Sequence, residues 1–384
     1  DRVKAGTPLF FNKYNERVLF TSPVSGTVAA VNNNGVGVAG IAGGTGKNDG
    51  VKLMSCQIFS GGEGGSAAVS AEAIKYAADN GASILQCSWG YPAGAVTTDN
   101  AYANAARIEK QAIDYFIATK NNDVLDGGLV IFAAGNDAKV MSGYPGAYRD
   151  YISVTAFSPD YLPAYYTNYG PGCNIAAPGG DAYISPSGTS AAQVLSTLPS
   201  ELYQSDYGYM QGTSMACPHI SGVAALGLSY ALAKGKRYTV DEFKSMLLTS
   251  VNDIDTYLDG TKKSLTTMQL RNYRKQMGTG AIDAYQLLMQ IEGTPCLKAK
   301  VGVQQQLSLD KYFGKASANL TYLGVEISQA DRTKLGISTE PTFVSGRLRL
   351  HCTKPGVARI TVKAVAGGTE LGTGTSMGGM EITN

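Results

Sequence analysis

The spacing of apolar residues along this chain changes near Gly293. Before that residue, short continuous apolar runs are separated by stretches of helical periodicity, which is typical of strands buried on both faces between helices. After it, apolar residues recur at every second position, as they do in a sheet with one buried face. The pattern predicts an α/β domain over residues 1–293 and a small all-β, β-sandwich-like domain over residues 294–384.

In the first domain, strands and helices alternate, so we expect a doubly wound parallel sheet. The predicted strands are 51–59, 83–89, 128–136, 152–157 and 174–177. The predicted helices are 23–31, 70–80, 99–120, an apolar run at 220–233, and a helix through Leu248 that begins at a capping box of Thr239 and Glu242. Residues 1–19 show no period and are predicted to form an irregular arm.

The period of two in the second domain is plainest in Arg347–Cys352. Its leucines and Cys352 share one face, and its arginines and His351 share the other. The segment 358–365 repeats this alternation. The tail is therefore predicted to be antiparallel β structure, and no residue in it suggests chemistry.

Composition narrows the classes of partner. Among 384 residues, 47 are glycine and only 16% are charged, which suits a tightly turned α/β protein. The net charge of +2 without a basic block argues against nucleic acid as a partner. We predict no membrane span from the apolar runs. The six cysteines form no CxxC motif, so we predict neither a disulfide framework nor a metal site.

The stretch Gly212–His219, with the sequence GTSMACPH, precedes the apolar run at 220–233. It places Ser214 in the first turn of a helix, beside free backbone N–H groups and the positive end of the helix dipole. A serine in that position is a candidate nucleophile, although a simple N-cap would give the same local pattern. Two other Gly-Thr-Ser strings, at Gly188 and Gly374, do not lead into a long apolar helix, and we reject them.

This stretch resembles the nucleophile motif of the subtilisin-like serine proteases (subtilases), and the resemblance extends over roughly residues 20–290. Ile131–Asp137 looks like the A-A-G-N segment of that family. The resemblance implies that Asn136 donates its side-chain amide to an oxyanion, together with the backbone N–H of Ser214. Two further segments, Tyr169–Pro171 and Ala176–Gly179, resemble scaffold signatures of the family.

The resemblance also implies a substrate groove. Ser88, Trp89 and Gly90 match a family strand that pairs with the substrate backbone. Trp89 would then form one wall of an apolar specificity pocket, and Ala134 and Gly135 would line the opposite side. The other interpretation of Trp89 is an ordinary core aromatic residue.

The sequence departs from the family at the other two members of the catalytic triad. The position of the family's histidine falls on Phe20, and a rival register, on Ser25, supplies no histidine either. Residues 1–19 contain no apolar strand of the kind that normally ends at the family's aspartate, and Asp1 is followed by Arg-Val instead of the family's turn. Of the two histidines present, His219 is about 140° around the helix from Ser214, and His351 lies in the tail.

Three hypotheses about function follow from these residues. The chain is a serine endopeptidase whose Asp and His segments are absent as written, a pseudoprotease that binds peptides without cleaving them, or a structural protein. The resemblance implies protein or peptide substrates, an extracytoplasmic (secreted or periplasmic) location and no required cofactor. It also implies a structural calcium near Asn32–Asn34, where a plain helix C-cap is the alternative.

Overall fold

The computed structural model describes residues 11–12, 15–19, 25–47, 49–59, 65–184, 188–198, 205–293, 299–313, 320–354, 360–366 and 380–383. Its helices are α1 (Ser25–Ala29), α2 (Ala67–Asp79), α3 (Asp99–Ala105), α4 (Arg107–Ala118), α5 (Thr213–Ala233), α6 (Val240–Thr249), α7 (Ala284–Glu292), α8 (Asp310–Phe313) and α9 (Gln329–Leu335).

The strands before Gly293 are β1 (Phe11–Asn12), β2 (Asn15–Leu19), β3 (Ile84–Cys87), β4 (Leu129–Ala133), β5 (Ile152–Phe157), β6 (Ile175–Pro178), β7 (Val194–Thr197), β8 (Tyr207–Met210), β9 (Val251–Asn252), β10 (Thr261–Lys263), β11 (Thr267–Gln269) and β12 (Ala281–Ile282). Those after it are β13 (Gln305–Leu307), β14 (Thr321–Glu326), β15 (Thr342–Val344), β16 (Arg347–Leu350), β17 (Thr361–Ala366) and β18 (Met380–Thr383).

A six-stranded sheet in the order β3-β4-β5-β6-β12-β9 forms the centre of the first part of the chain. All its neighbours are parallel except β12 and β9, and every position of β4 and β5 is buried. Residues of α5, α6 and α7 pack on one face, and residues of α2, α3 and α4 pack on the other. The predicted doubly wound α/β fold is therefore confirmed, and the continuous apolar runs predicted its central strands.

Helix α5 is the central element of one layer, because it packs against β3, β4, β5 and β6 and against α7. Its apolar residues lie all around the helix, as expected for a helix enclosed in a core. Among the described helices it alone is long and apolar enough to cross a membrane, yet 56% of that apolar window is buried inside the protein. Core helices pass the same test, so the absence of a membrane span stays a prediction.

The prediction of a strand at 51–59 is wrong. These residues form no strand, and the backbone–backbone hydrogen bond of this segment to the described residues runs from Val51 N–H to the Ala42 carbonyl. Met54 still packs against the core cluster that contains Cys87. A strand needs a ladder partner, and among the described residues the edge strand β3 pairs with β4 alone.

Two other predictions need correction. Part of the irregular arm is an antiparallel pair, β1 with β2, while residues 1–10 lie outside the described residues. The predicted helix 99–120 is two helices, α3 and α4, which are separated at Ala106, where φ is −117° and ψ is 41°. The sequence has neither glycine nor proline at this break, so the helical periodicity continues across it and predicts a single helix.

Helix starts agree better with the sequence. Thr239 and Glu242 form the predicted capping box, with bonds of 3.1 Å and 2.8 Å between side chain and backbone. Helix α2 begins at Ala67, before the predicted start at Ser70, and Ser66 caps it. Ser70 does not cap the helix, since its hydroxyl is buried and donates to Glu109 (2.7 Å).

The described part of the tail contains two three-stranded antiparallel sheets, β13-β16-β15 and β14-β17-β18, and also the helices α8 and α9. The prediction of an all-β tail is therefore wrong, because the period of two in its strands does not extend to these short helical segments. Leu348 and Leu350 are buried while Arg347 and Arg349 are exposed, as the alternation predicts. The rings of Tyr322 and Phe343 stack at 4.5 Å between the two sheets. Residues 294–298, Cys296 and the Gly374 string lie outside the described residues, and the boundary at 293/294 stays a prediction.

Glu109 is a charged residue placed deep in the layer of α2 and α4, where it is 1% exposed. Its carboxylate accepts hydrogen bonds from the hydroxyls of Ser70 (2.7 Å), Tyr91 (3.1 Å) and Tyr102 (3.1 Å). Burial raises its pKa, although the three hydroxyl donors oppose that rise. The folded protein therefore holds the Glu109 proton more tightly than the unfolded chain does.

This difference predicts a pH dependence of stability. Because the pKa of Glu109 is raised by folding, its contribution to the free energy of unfolding is full below about pH 4.3, the ordinary glutamate pKa, and is lost as pH rises through the folded value. We expect Glu109→Gln to remove this decline. The measurement is urea denaturation of both proteins across that pH range, with Glu72→Gln, on the exposed side of α2, as the control. A stability difference that does not change with pH would contradict the prediction.

Candidate functional site

Ser214 lies in the first turn of α5, half-buried, as the sequence predicts. The preceding N-cap residue, Gly212, has φ of +147°, a conformation that favours glycine. Its N–H donates to the Gly179 carbonyl (3.0 Å), directly after the end of β6. The close approach of these two glycines fixes where the turn that contains Ser214 begins.

Asn136 follows β4 and reaches the same turn. Its side-chain oxygen accepts hydrogen bonds from the backbone N–H of Thr213 (2.9 Å) and from the Thr213 hydroxyl (2.8 Å). The Thr213 hydroxyl in turn accepts from the Gly135 N–H (3.2 Å). Because the amide oxygen is engaged, the Asn136 Nδ2 group remains as the donor, 3.6 Å from where a Cβ on Gly212 would lie.

Ser88 lies on the other side of Ser214. Its hydroxyl donates to the Ser214 carbonyl (2.7 Å), and the Ser214 hydroxyl donates to the Ser88 carbonyl (3.3 Å). Gln86 supports Ser88 through a bond from Nε2 to the Ser88 hydroxyl (2.7 Å). The Ser214 proton thus points at a carbonyl oxygen, which is an acceptor but not a general base.

The two predicted walls of the groove are joined by residues that the sequence analysis missed. Tyr91 N–H, next to Gly90, donates to the Tyr144 carbonyl (2.6 Å), and Gly143 N–H donates to the Ala134 carbonyl (2.8 Å). Residues 143–144 therefore form a bridge between the walls. A signal was present, because Gly143 and Pro145 mark a turn there, but nothing in it indicated which segments the turn would contact.

Trp89 is half-buried, and its ring meets that of the fully buried Phe132 edge to face at 5.2 Å. The indole thus packs on the core at this contact, and its intermediate burial leaves part of it exposed. The contact with Phe132 favours the interpretation of Trp89 as a core aromatic residue, and its role as a pocket wall stays a prediction.

Neither histidine assists Ser214. His219 Nδ1 lies 2.9 Å from the Met215 carbonyl, a bond within the helix that requires the proton on Nδ1. Burial lowers its pKa, which keeps the ring neutral at physiological pH. His351 follows β16 in the tail. The histidine position at Phe20 and the residue Asp1 lie outside the described residues.

The residues of the predicted calcium loop do not fit that ion well. The segment 32–38 contains no carboxylate, and the Asn34 side-chain oxygen accepts a hydrogen bond from the Val36 N–H (3.0 Å). Calcium takes six to eight oxygen ligands and usually carboxylates. Across the described residues, no group of three or more His, Cys, Asp or Glu side chains could hold a metal ion.

Comparison with known proteins identifies the family. The sequence model of the subtilase family matches residues 21–280. A second model, that of the NqrA N-terminal barrel-sandwich hybrid domain, matches residues 1–35 and so overlaps the first. Phe20 therefore lies just before the subtilase match begins.

Curated relatives agree with the first match. The chain is 29% identical over 274 residues to an extracellular basic protease of Dichelobacter nodosus, covering 68% of this chain and 38% of that protein. It is 32% identical over 203 residues to alkaline elastase YaB of Bacillus sp. (strain YaB), covering 53% of this chain and 43% of that protein. The chain thus spans about two fifths of the length of these relatives.

A solved structure supports the fold. The prenylagaramide maturation protease PagA matches with a TM-score of 0.50 and 23% identity, covering 71% of this chain and 82% of that chain. The family match takes in the Ser214 turn, Asn136 and the 88–90 segment, all of which the fold brings together around the start of α5. The chain belongs to the subtilase family of serine proteases.

Proposed function

We propose that this chain carries the nucleophile and the substrate groove of a subtilisin-like serine endopeptidase that cleaves protein or peptide substrates. The observation that carries the proposal is the pair of hydrogen bonds between Thr213 and the Asn136 side-chain oxygen. They orient the amide of Asn136 beside Ser214, with its oxygen engaged and its nitrogen available.

In this proposal Ser214 Oγ attacks the carbonyl carbon of the substrate, its proton passes to a histidine that the parent endopeptidase supplies, and the carbonyl oxygen becomes an oxyanion. The C–N bond then breaks, and the amine leaves with that proton. The backbone N–H of Ser214 and Asn136 Nδ2 donate to that oxygen, where preorganised donors stabilise the transition state. The substrate backbone lies against Ser88–Gly90 as an added strand, and Ala134 and Gly135 line the other side. These steps need no metal or cofactor.

The chain as written lacks a base for the first step. We infer that the parent endopeptidase has Asp and His segments that are absent here. The start of the subtilase match at residue 21, together with the similarity of residues 1–35 to an unrelated domain, supports this inference. Among the described residues β3 pairs on one side only, which supports the inference too, because the family's Asp strand would be central in the sheet.

A pseudoprotease that binds peptides is the second candidate. The observation that favours it is the Ser214 hydroxyl, which donates to the Ser88 carbonyl and lacks a basic acceptor among the described residues.

We further infer an extracytoplasmic location, since one relative is named an extracellular protease. The low net charge agrees with a peptide partner rather than nucleic acid.

The groove predicts a preference for extended peptides with an apolar residue before the cleaved bond. We expect Trp89→Ala to weaken binding of such peptides, because it removes the wall of the pocket. The measurement is a titration of a fluorescent apolar peptide, with urea denaturation of the variant to follow loss of the Phe132 contact. An unchanged Kd in the variant would assign Trp89 to the core.

A serine without a base is a weak nucleophile. We therefore expect Ser214 of the chain as written to react negligibly with a fluorophosphonate probe. In subtilisin itself, loss of the histidine alone lowers turnover by about 2 × 10⁶-fold. Restoring the upstream Asp and His segments of the parent should make Ser214 label rapidly. Labelling is followed by intact mass and peptide mapping.

Two variants of the restored protein serve as controls. Ser214→Ala should abolish labelling and cleavage. Asn136→Asp keeps an oxygen for the Thr213 bonds but replaces the Nδ2 donor, so cleavage should fall by roughly 10²–10³-fold, the range known from a subtilisin. Rapid labelling of Ser214 in the chain as written would refute our interpretation of the missing base. A complete gene product that retains Phe20, binds peptides and stays unlabelled would favour the pseudoprotease.

A further inference from the structure

Lys262 is a buried cation at a distance from Ser214 in sequence. It lies in β10, opposite Met268 of β11, and its side chain is 3% exposed. Its Nζ group donates to the Ser158 hydroxyl (2.6 Å) and the Pro163 carbonyl (2.9 Å), and it lies 3.3 Å from Asp160 Oδ2. The β10–β11 hairpin thus places an ammonium group against the loop 158–163, which follows β5 of the central sheet.

The main anionic partner of Lys262 is Asp181, which is fully buried and lies 3.1 Å away. The Asp181 carboxylate also accepts bonds from the Ser264 hydroxyl (2.7 Å and 2.8 Å) and from the backbone N–H groups of Tyr183 (3.0 Å) and Tyr165 (3.4 Å). Both charges are therefore paired and hydrogen-bonded, which is the condition under which buried ions are tolerated.

The loop that contains Asp181 holds the start of the nucleophile turn. The Gly179 carbonyl accepts from Gly212 N–H (3.0 Å), and the Ala182 N–H donates to the Gln211 side chain (2.6 Å). The space at Gly179 is closed, since a Cβ there would lie 2.9 Å from the Gly212 carbonyl oxygen. A shift of this loop would therefore move the backbone immediately before Ser214.

We propose that Lys262 and Asp181 are positioning residues, which hold the 179–182 loop so that Gly212 and the Ser214 N–H keep their orientation. This inference rests on the proposed function, in which that N–H donates to the oxyanion. A buried ion pair is often no more stabilising than apolar residues of similar volume. Its directional bonds therefore matter more for the placement of the loop than for the stability of the fold.

The experiment compares Lys262→Met with the double variant Lys262→Met/Asp181→Asn. The single variant leaves the Asp181 carboxylate without its cation and should be strongly destabilised. The double variant removes the buried pair, and the partly exposed Asp160 keeps its bond from the Ser158 hydroxyl, so it should regain much of the stability that the single variant loses. Lys263→Met, which changes the exposed neighbour in the same hairpin, is the matched control.

Amide hydrogen exchange separates a positioning role from a general structural one, because only loss of positioning would raise the exchange rate in these loops alone. In the double variant we expect exchange over residues 179–184 and 211–215 to become about tenfold faster or more, while β4 and β5 stay protected. The affinity for the apolar peptide should fall with it, and Lys263→Met should change neither. Unchanged exchange in the double variant, or an equal rise over the whole sheet, would overturn the proposal.

The two inferences can fail separately. Exchange requires neither peptide binding nor catalysis, so it judges the role of Lys262 and Asp181 by itself. Peptide binding by the unmodified chain judges the groove on which the proposed function depends.

Discussion

The hydrogen bonds from Thr213 to Asn136 tie the first turn of α5 to the end of β4, and the arrangement of the site depends on them. They join two elements that are far apart in sequence. They also engage the one oxygen of the asparagine side chain, which leaves its nitrogen as the donor of that amide. A single amide thereby fixes the start of the helix and presents a donor.

The topology explains why these groups meet. Strands β3, β4 and β6 run parallel, so the segments that follow them, with Ser88, Asn136 and Gly179, leave the sheet at the same edge. The N-terminus of α5 packs at that edge and contacts all three segments. Sites of open α/β sheets are expected at the carboxyl ends of the strands. The sequence motifs therefore become one site through the direction of the strands.

Local signals predicted much of this arrangement. The apolar runs predicted β4 and β5, and the Gly212–His219 stretch predicted the start of α5. Strand burial and helix starts depend mostly on residues that are neighbours in sequence, so local patterns can indicate them. The strand at 51–59 could not be judged in this way, since a strand exists only with a partner in its ladder. The same limit applies to Lys262, whose partners at Ser158, Pro163 and Asp181 are distant in sequence and carry no periodic signal.

The edge of β3 has a consequence for how the chain behaves in solution. The Ser83 carbonyl accepts from the Leu129 N–H, so alternate residues of β3 face β4 while the peptide groups of Ile84 and Gln86 face outward. Among the described residues, no strand pairs with β3 on this side. Open edges are templates on which further strands add, and natural sheets usually protect them. As the described residues have it, the outward peptide groups of Ile84 and Gln86 are therefore the ones on which a strand of another chain would add.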